Sequence, residues 1–207
     1  MKIKEPKITK CLEYNLLDAV KDNDFNNYIF TSNVDEEIEI SDLTIDSCIF
    51  KNIDFSNIKI NKVELIDVVF ENCDLSNKKF DYKLIDRVKF INCKMLGTSF
   101  IGSSIKDIKI DNCVCKYINF AEAKMSNVIV NKTDFTQMTF LETKIKNIEL
   151  NEVDFSNSEI SNTSLNNIDF STCKILGIMI DMFSLQGMII NSFQSADLVG
   201  MLGVKFK

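Results

Sequence analysis

The stretch FENCDLSNKKFDYKLIDRVKFINCKMLGTSF (residues 70–100) carries an apolar side chain at every fifth position. The same spacing runs without a break from Ile40 to Ile190, where all 31 positions of this register are apolar. With 45% of the chain apolar, chance would produce such a run with a probability of about 10⁻¹¹. Thirteen of the 16 phenylalanines lie on the register or its N-terminal extension, which indicates that phenylalanine serves one structural role.

The five-residue unit has further regularities around its central apolar residue. Two residues before the centre lies a mostly small or β-branched side chain, two residues after it asparagine dominates, and the other positions are mostly polar. A period of five matches neither a helix nor a flat strand. It is typical of a chain that runs straight, turns a corner and repeats. Four such sides close a square coil of about 20 residues, and Cys73, Cys93 and Cys113 recur at this spacing.

Five segments show the unit most clearly. They are FENCDLSN (70–77), FINCKML (90–96), YINFAEA (117–123), VDFSNSEISN (153–162) and IDFSTCKIL (168–176). These segments resemble the pentapeptide-repeat family, and the resemblance covers residues 38–192. It implies an all-β solenoid, namely a right-handed quadrilateral parallel β-helix of about eight coils, a hand that parallel crossovers also favour. At ~4.8 Å between strands, the rod is expected to be roughly 35–40 Å long.

The sequence divides into three parts. Residues 1–37 are expected to form an N-terminal cap and an imperfect first coil, residues 38–192 the β-helix, and residues 193–207 a C-terminal capping or dimerisation helix and tail. Near-helical spacing of Leu12, Leu16, Leu17 and Val20 predicts a short helix in the first part. The central residues are expected to form a core ladder. Its phenylalanines are Phe50, Phe55, Phe70, Phe80, Phe90, Phe100, Phe120, Phe135, Phe140, Phe155 and Phe170.

The C-terminal segment has the pattern of a helix with two apolar sides. Ser192 or Ser195 could cap it, and Gly203 suits its end. One side is expected to pack on the last coil: Phe193, Ala196, Val199 and Leu202. The helix either caps the rod only or also joins two rods into a homodimer, as the resemblance to the quinolone-resistance subgroup implies. The predicted dimer interface comprises Met179, Met182, Leu198 and Met201.

The residue content excludes most enzymatic chemistry. The chain contains no histidine, which is the commonest general base and metal ligand, and it has no phosphate-binding glycine loop or nucleophile motif. Cys113 and Cys115 could suggest a metal pair, but no second pair has ligand spacing. Buried packing is the simpler role for the register cysteines. We therefore predict a non-catalytic protein with no catalytic, cofactor-binding or metal site.

Function must then lie on the surface of the rod. The family resemblance implies DNA gyrase or topoisomerase IV as a partner, which some members engage by imitating the charge of DNA. Residues 40–191 hold 17 basic and 20 acidic residues with interleaved signs, whereas a mimic needs a dense acidic band. The inserted loops of Gram-negative quinolone-resistance proteins are also missing.

Two hypotheses follow from these features. In the first, the protein binds a type II topoisomerase and modulates it or protects it from quinolones. In the second, it is a structural scaffold for an unrelated protein partner. A partner patch is predicted where positions just after the centre are apolar, at Leu96, Ile101, Ala121 and Leu141.

Charge and hydropathy also bound the surroundings of the protein. A pI near 4.8 and the lack of a basic stripe disfavour direct nucleic-acid binding. The longest apolar-rich segment, residues 175–190, is interrupted by Asp181, so no membrane span is expected. The N-terminus MKIKEPKITK lacks the apolar core of a signal peptide. These features predict a cytoplasmic location.

Overall fold

The predicted β-helix is confirmed by the computed structural model, which describes residues 1–201. The chain winds into a right-handed parallel β-solenoid of about eight turns. Neighbouring strands pair in parallel at a separation of 20 residues, so that Phe50 lies beside Phe70 and Phe70 beside Phe90. Each coil therefore takes 20 residues, as the recurrence of side-chain types in the sequence predicts.

The elements are short because each side of the square ends at a corner. The strands are β1 (Leu12–Glu13), β2 (Tyr28–Phe30), β3 (Ile38–Ser41), β4 (Thr44–Asp46), β5 (Ile49–Lys51), β6 (Ile58–Asn61), β7 (Glu64–Glu71), β8 (Leu84–Ile91), β9 (Ser104–Asp111), β10 (Lys124–Asn131), β11 (Thr139–Leu141), β12 (Lys144–Asn151), β13 (Glu159–Ser161) and β14 (Met179–Ile180). The helices are α1 (Leu16–Asp22), α2 (Met182–Leu185) and α3 (Gln194–Met201).

The sides of the square differ in how their strands pair. The largest sheet follows the order β1-β2-β5-β7-β8-β9-β10-β12, with β4 also on β7. Its eight-residue strands cover two adjacent sides and continue through the corner between them. A third side carries the sheet β11-β13-β14 and the pair β3-β6. The fourth side is joined by isolated parallel bridges, such as the one between Asp54 and Asp74.

The corners form at the position two residues after each centre. Backbone φ is positive there, for example 58° at Asn52 and 54° at Asn72. Asparagine tolerates this left-handed conformation better than most residues. One corner also carries a side-chain ladder, in which the amides of Asn72, Asn92 and Asn112 donate to the preceding asparagine oxygen at 3.1, 3.2 and 2.8 Å. The repeated asparagine thus shapes the turn and links the coils.

The core ladder lies inside the rod. All eleven of its phenylalanines are at most 2% exposed. The rings of Phe50, Phe70 and Phe90 stack with centroids 5.1 and 5.3 Å apart and interplanar angles of 11° and 3°. A second stack, Phe80–Phe100–Phe120, has spacings of 5.3 and 5.4 Å. Because coils repeat at about the spacing of β-strands, the rings stack with a small offset, which aromatic quadrupoles favour.

The small inner position carries polar side chains that the core accommodates. The hydroxyls of Thr98, Thr143 and Ser158 donate to backbone carbonyls of the previous coil, each at 2.9 Å. The thiols of Cys73 and Cys93 make the equivalent contact at 3.4 Å. Each hydroxyl is buried with a partner, which avoids the cost of an unsatisfied polar group.

The N-terminal end is closed by α1. Asn15 caps it, since its side-chain oxygen accepts from the Leu17 and Asp18 amides. Leu16 and Ala19 of the helix are buried in the core. Leu12, which the helical spacing placed on the same stripe, lies instead in β1 and is 70% exposed. Residues 1–11 do not cover the end of the stack at all, and they extend along its side.

At the C-terminal end, α3 faces the core with the side opposite to the predicted one. Phe193 is 89% exposed and Ala196 is exposed, whereas Leu198 is only 9% exposed and packs on the core. Gln194 explains this orientation. Its amide donates to the Phe170 and Cys173 carbonyls at 2.8 and 2.7 Å, which fixes this side of the helix against the last coil. Assigning Leu198 to an outer dimer interface was therefore wrong.

Three further expectations concern the same segment. The amides of Phe193 and Gln194 donate to the side chain of Asn191 at 2.9 and 3.1 Å, so asparagine takes the capping role expected of Ser192 or Ser195. Leu202 and Gly203 lie outside the described residues, as does the side chain of Met201.

Candidate interaction surfaces

A set of exposed apolar side chains surrounds the C-terminal end. We call it the C-terminal apolar set. Its members are Leu176 (66% exposed), Met179 (56%), Met182 (69%), Phe183 (58%), Ile189 (45%) and Phe193 (89%). Within the short helix α2, Ser184 is the buried residue, and Met182 and Phe183 face outward. Large exposed apolar residues concentrated in one region are typical of interaction sites. Two members of the predicted dimer interface, Met179 and Met182, belong to this set.

The predicted partner patch is only partly exposed. Leu141 is 37% exposed, Leu96 and Ile101 are half-buried, and Ala121 is buried at 8%. Including Ala121 as an outer contact was wrong. Ala121 is covered because its side chain is too short to reach beyond the neighbouring coils.

Two tyrosines flank the side of the rod that carries Ile101, Ala121 and Leu141 of this patch, whereas Leu96 lies on the adjacent side. We call the side, centred on Phe80, Phe100, Phe120 and Phe140, the tyrosine-edged face. Tyr82 and Tyr117 lie at its two corners, with positive φ values of 58° and 60° and exposures of 68% and 57%. The Tyr82 ring lies so close to Gly102 that a Cβ there would come within 2.4 Å of it. A tyrosine in the asparagine position, followed by glycine 20 residues later, was the sequence signal for this site.

The acidic columns are neutralised by neighbouring lysines. Lys94 pairs with Asp74 at 2.9 Å and Lys174 with Asp154 at 3.4 Å, in each case one coil apart. Burial raises the pKa of Asp74, but hydrogen bonds from Ser76 and Lys94 outweigh it and hold this pKa below its ordinary value. The alternation of signs predicted along this side is thus made of direct contacts. It does not produce the dense acidic band of a DNA duplex.

A buried acidic cluster lies at the corner between the two sides that the long strands cover. The Arg87 guanidinium donates to both Asp67 carboxylate oxygens at 2.6 and 2.7 Å. The backbone amide of Lys7 also donates to Asp67, at 2.7 Å. Burial raises the pKa of Asp67, but the hydrogen bonds from Arg87 and Lys7 lower it by more than burial raises it. The pKa of Asp67 therefore lies below its ordinary value. The carboxylate therefore stays ionised and holds the N-terminal residues against the rod.

Residues 1–201 contain no group of three or more histidine, cysteine or acidic side chains arranged to hold a metal ion. In the same part of the chain, no helix has the length and apolar character needed to cross a bilayer. Six of the seven free cysteines are at most 6% exposed. Burial raises the pKa of Cys48 to about 12 and that of Cys173 to about 11, which keeps these thiols protonated and unreactive.

The family follows from sequence comparison. The family model for the pentapeptide repeat region matches residues 43–120 and 83–154, which together span more than half of the chain. The chain belongs to the pentapeptide-repeat family. The pentapeptide repeat accounts for the five-residue register of the sequence. It also accounts for the four-sided coils of the backbone and for the phenylalanine ladder of the core.

Solved structures of other pentapeptide-repeat proteins are similar to this one. A trypsin-treated variant of QnrB1, a plasmid-mediated fluoroquinolone resistance protein, is 19% identical with a TM-score of 0.43, covering 86% of this chain and 98% of that one. HetL from the cyanobacterium Nostoc, involved in heterocyst differentiation regulation, is 11% identical with a TM-score of 0.33, covering 86% and 96%. No curated protein matches this chain.

Proposed function

We propose that this pentapeptide-repeat protein acts without catalysis, by binding another protein on the tyrosine-edged face. The observation that carries this proposal is the exposure of Tyr82 and Tyr117 at the two corners of that face. A bulky residue with positive φ costs of order 1 kcal/mol, and an exposed ring recovers little of it by burial. Tyrosine is enriched among the residues that dominate binding energy at protein interfaces. Ile101 adds apolar surface on the coil between the two rings, and Leu141 does so on the coil beyond Tyr117.

We propose a type II topoisomerase, DNA gyrase or topoisomerase IV, as the partner. The resemblance of the sequence to the quinolone-resistance subgroup supports this choice. Because the register is unbroken, no inserted loop is available for contact, and the side of the rod must bind directly. The paired charges along the Asp74 and Asp154 columns argue for recognition by shape and aromatic contact in place of an imitation of DNA charge.

Gyrase supercoiling assays test this partner. The purified protein is titrated with and without a fluoroquinolone, beside a variant carrying Tyr82→Ala and Tyr117→Ala. Inhibition or drug protection is expected at about a micromolar or below, with a loss of at least ~10-fold in the double variant. Leu12→Ala, at an exposed apolar residue of the N-terminal end, is the matched control. No effect on gyrase up to tens of micromolar would reject gyrase as the partner.

The alternative is a scaffold that holds an unrelated protein on the same face. The neutralised charge columns favour it, since they give the rod little long-range attraction for a DNA-binding enzyme. Site-specific photo-crosslinking from position 82 separates the two hypotheses. Crosslinks to a topoisomerase subunit support the first, and crosslinks to another protein that are lost on replacing Tyr117 by alanine support the second.

We also propose that two rods associate through the C-terminal apolar set. A two-fold contact would use the same residues of this set on both copies. Sedimentation of the wild-type protein and of a Met182→Glu, Phe193→Glu variant tests this, with Leu12→Glu as the control. We expect a dimer that only the C-terminal substitutions dissociate. A wild-type monomer at tens of micromolar would contradict the dimer and leave the binding face unaffected.

A cytoplasmic location is the final part of the proposal. All seven cysteines of the sequence lie in the described residues and are free thiols, which suits a reducing compartment.

A further inference from the structure

Residues 1–11 form an extended segment along one corner of the rod, which we call the N-terminal strap. Most of its polar contacts are made by the main chain, including the terminal ammonium of Met1, which pairs with Glu149. The Lys4 amide donates to Asp107 at 3.2 Å and the Lys7 amide to Asp67 at 2.7 Å. The Cys11 thiol donates to the Ser47 carbonyl at 3.2 Å. The strap therefore runs opposite to the direction in which the coils are stacked.

The spacing of these contacts matches the repeat of the rod. Asp107 and Asp67 are 40 residues apart, which is two coils, or roughly 9.6 Å at the spacing of β-strands. Lys4 and Lys7 are three residues apart, and three residues of extended chain span about 10 Å. An extended peptide can thus place every third amide opposite every second coil. The match depends on backbone geometry and not on the side chains of the strap.

The side chains of the strap contribute little to the contact. Ile3 is buried at 8%, whereas Pro6 and Ile8 are only half-buried. Its four lysines point to solvent, and one ion pair joins Glu5 to Lys89. Segments with few buried apolar contacts open at low free-energy cost. The strap can therefore leave the corner while the coils stay folded.

The corner beneath the strap has unused capacity to bind a donor. Asp107 is 2% exposed, and its second carboxylate oxygen has no hydrogen-bond partner. One oxygen of Asp86 is likewise buried without a partner. Buried carboxylate oxygens without partners are costly. The strap itself carries four lysines and one glutamate, so its charge is opposite to that of the carboxylates it covers.

We propose that this corner is a docking track for an extended, lysine-containing peptide segment of a partner protein, which the N-terminal strap occupies in cis and must vacate. The track recognises main-chain amides at every third residue through Asp107 and Asp67. At the corner itself three carboxylates, Asp67, Asp86 and Asp107, face the single cation Arg87, which pairs with the first two, and this excess of negative charge favours a cationic segment. It lies at the corner diagonally opposite to Tyr117, so a partner can bind here independently of the tyrosine-edged face.

The test uses fluorescein-labelled synthetic peptides and the full chain. The first peptide has the sequence of residues 2–11 with serine in place of the cysteine. A second carries N-methyl groups at the amides of residues 4 and 7, and its matched control carries them at residues 2 and 5. A fourth keeps every lysine but replaces both isoleucines by valine. Binding is measured by anisotropy to the wild-type chain and to two variants with a loosened strap, Ile3→Asp and Pro6→Asp.

We expect the loosened variants to bind the first, third and fourth peptides at least ~10-fold more tightly than the wild type does, because the cis strap no longer competes. Methylation at residues 4 and 7 is expected to weaken binding by ~10-fold or more through the loss of two amide donors. In a loosened chain, Asp107→Asn should weaken binding, whereas Asp154→Asn, on a distant column, should not.

Three results would overturn the proposal. The first is equal affinity of the wild-type and loosened chains, and the second is equal affinity of the two methylated peptides. The third is binding of the native sequence alone, with the valine peptide failing, which would make the strap a structural element that fits only its own site. Circular dichroism of both loosened variants shows whether the coils remain folded.

Discussion

Replacing Phe70 by alanine removes one ring from the middle of the stack Phe50–Phe70–Phe90. Phe70 is fully buried, and its centroid lies 5.1 and 5.3 Å from its two stacked neighbours and 5.8 Å from Phe55 at an angle of 66°. A phenylalanine-to-alanine change in a core costs about 3–5 kcal/mol of unfolding free energy. Each aromatic pair accounts for roughly 0.5–1.5 kcal/mol of that. The coils above and below keep their backbone pairing, so the cavity is not expected to close.

Phe70→Leu separates the stacking from the packing. Leucine retains much of the buried volume but loses the ring contacts, so we expect it to cost about 1–2 kcal/mol. Urea unfolding followed by circular dichroism measures both variants, with Tyr82→Ala as an exposed control that should change stability by less than ~0.5 kcal/mol. The slopes must agree among variants, because coupled coils can lose cooperativity.

Two outcomes would refute this account of the core. A loss below ~1.5 kcal/mol for Phe70→Ala would mean that the stack relaxes around the missing ring. Equal losses for the alanine and leucine variants would mean that ring stacking contributes nothing beyond buried volume.

Three further predictions concern the corners, the C-terminal turn and the thiols. Asn92→Ala should lower the free energy of unfolding in urea by about 1–2 kcal/mol, because it removes two ladder hydrogen bonds and a residue that tolerates positive φ. Asn92→Gly should cost less, because glycine adopts positive φ without strain. Equal losses for the two variants would contradict a role for the backbone conformation. Hydrogen bonds from the Ser184 and Asn162 amides lower the pKa of Asp181 to about 2. The stability that this carboxylate contributes is therefore complete above pH ~4 and is lost as pH falls towards 2. Between pH 5 and 2 the unfolding midpoint should fall less in Asp181→Asn than in the wild type, and parallel curves would show that Asp181 does not contribute to the pH dependence. An aromatic disulfide reagent should label only Cys11 in the folded protein and all seven cysteines in urea, and rapid labelling of a second thiol would show an open coil.

The register made the solenoid predictable from sequence. A central apolar residue such as Phe70 identifies the inside of the rod, and the recurrence of Cys73, Cys93 and Cys113 sets the length of a coil. Both signals are periodic and repeat in every coil. Local sequence, backbone turn and core packing therefore agree along the whole stack, which is the condition under which a sequence specifies its fold clearly.

The ends of the rod were less predictable because their contacts are not periodic. Helix α3 has apolar residues on both sides, so spacing could not show which side faces the core. Gln194 decides the orientation by donating to the Phe170 and Cys173 carbonyls, contacts that the spacing of apolar residues does not predict. The N-terminal strap was missed for a related reason. It is held by the main-chain amides of Lys4 and Lys7, and contacts of the main chain cannot be predicted from the pattern of side chains.

The constant coil of 20 residues also restricts how the length of such a chain can change. Deleting five residues would rotate all downstream sides by a quarter turn and place Asn112 over a different column from Asn92. Deleting twenty would remove one storey and leave every column continuous. We therefore expect related chains to differ by whole storeys within the stack, so that rod length changes in increments of about 4.8 Å. The length of the rod can therefore take only a series of discrete values, each one coil longer than the last.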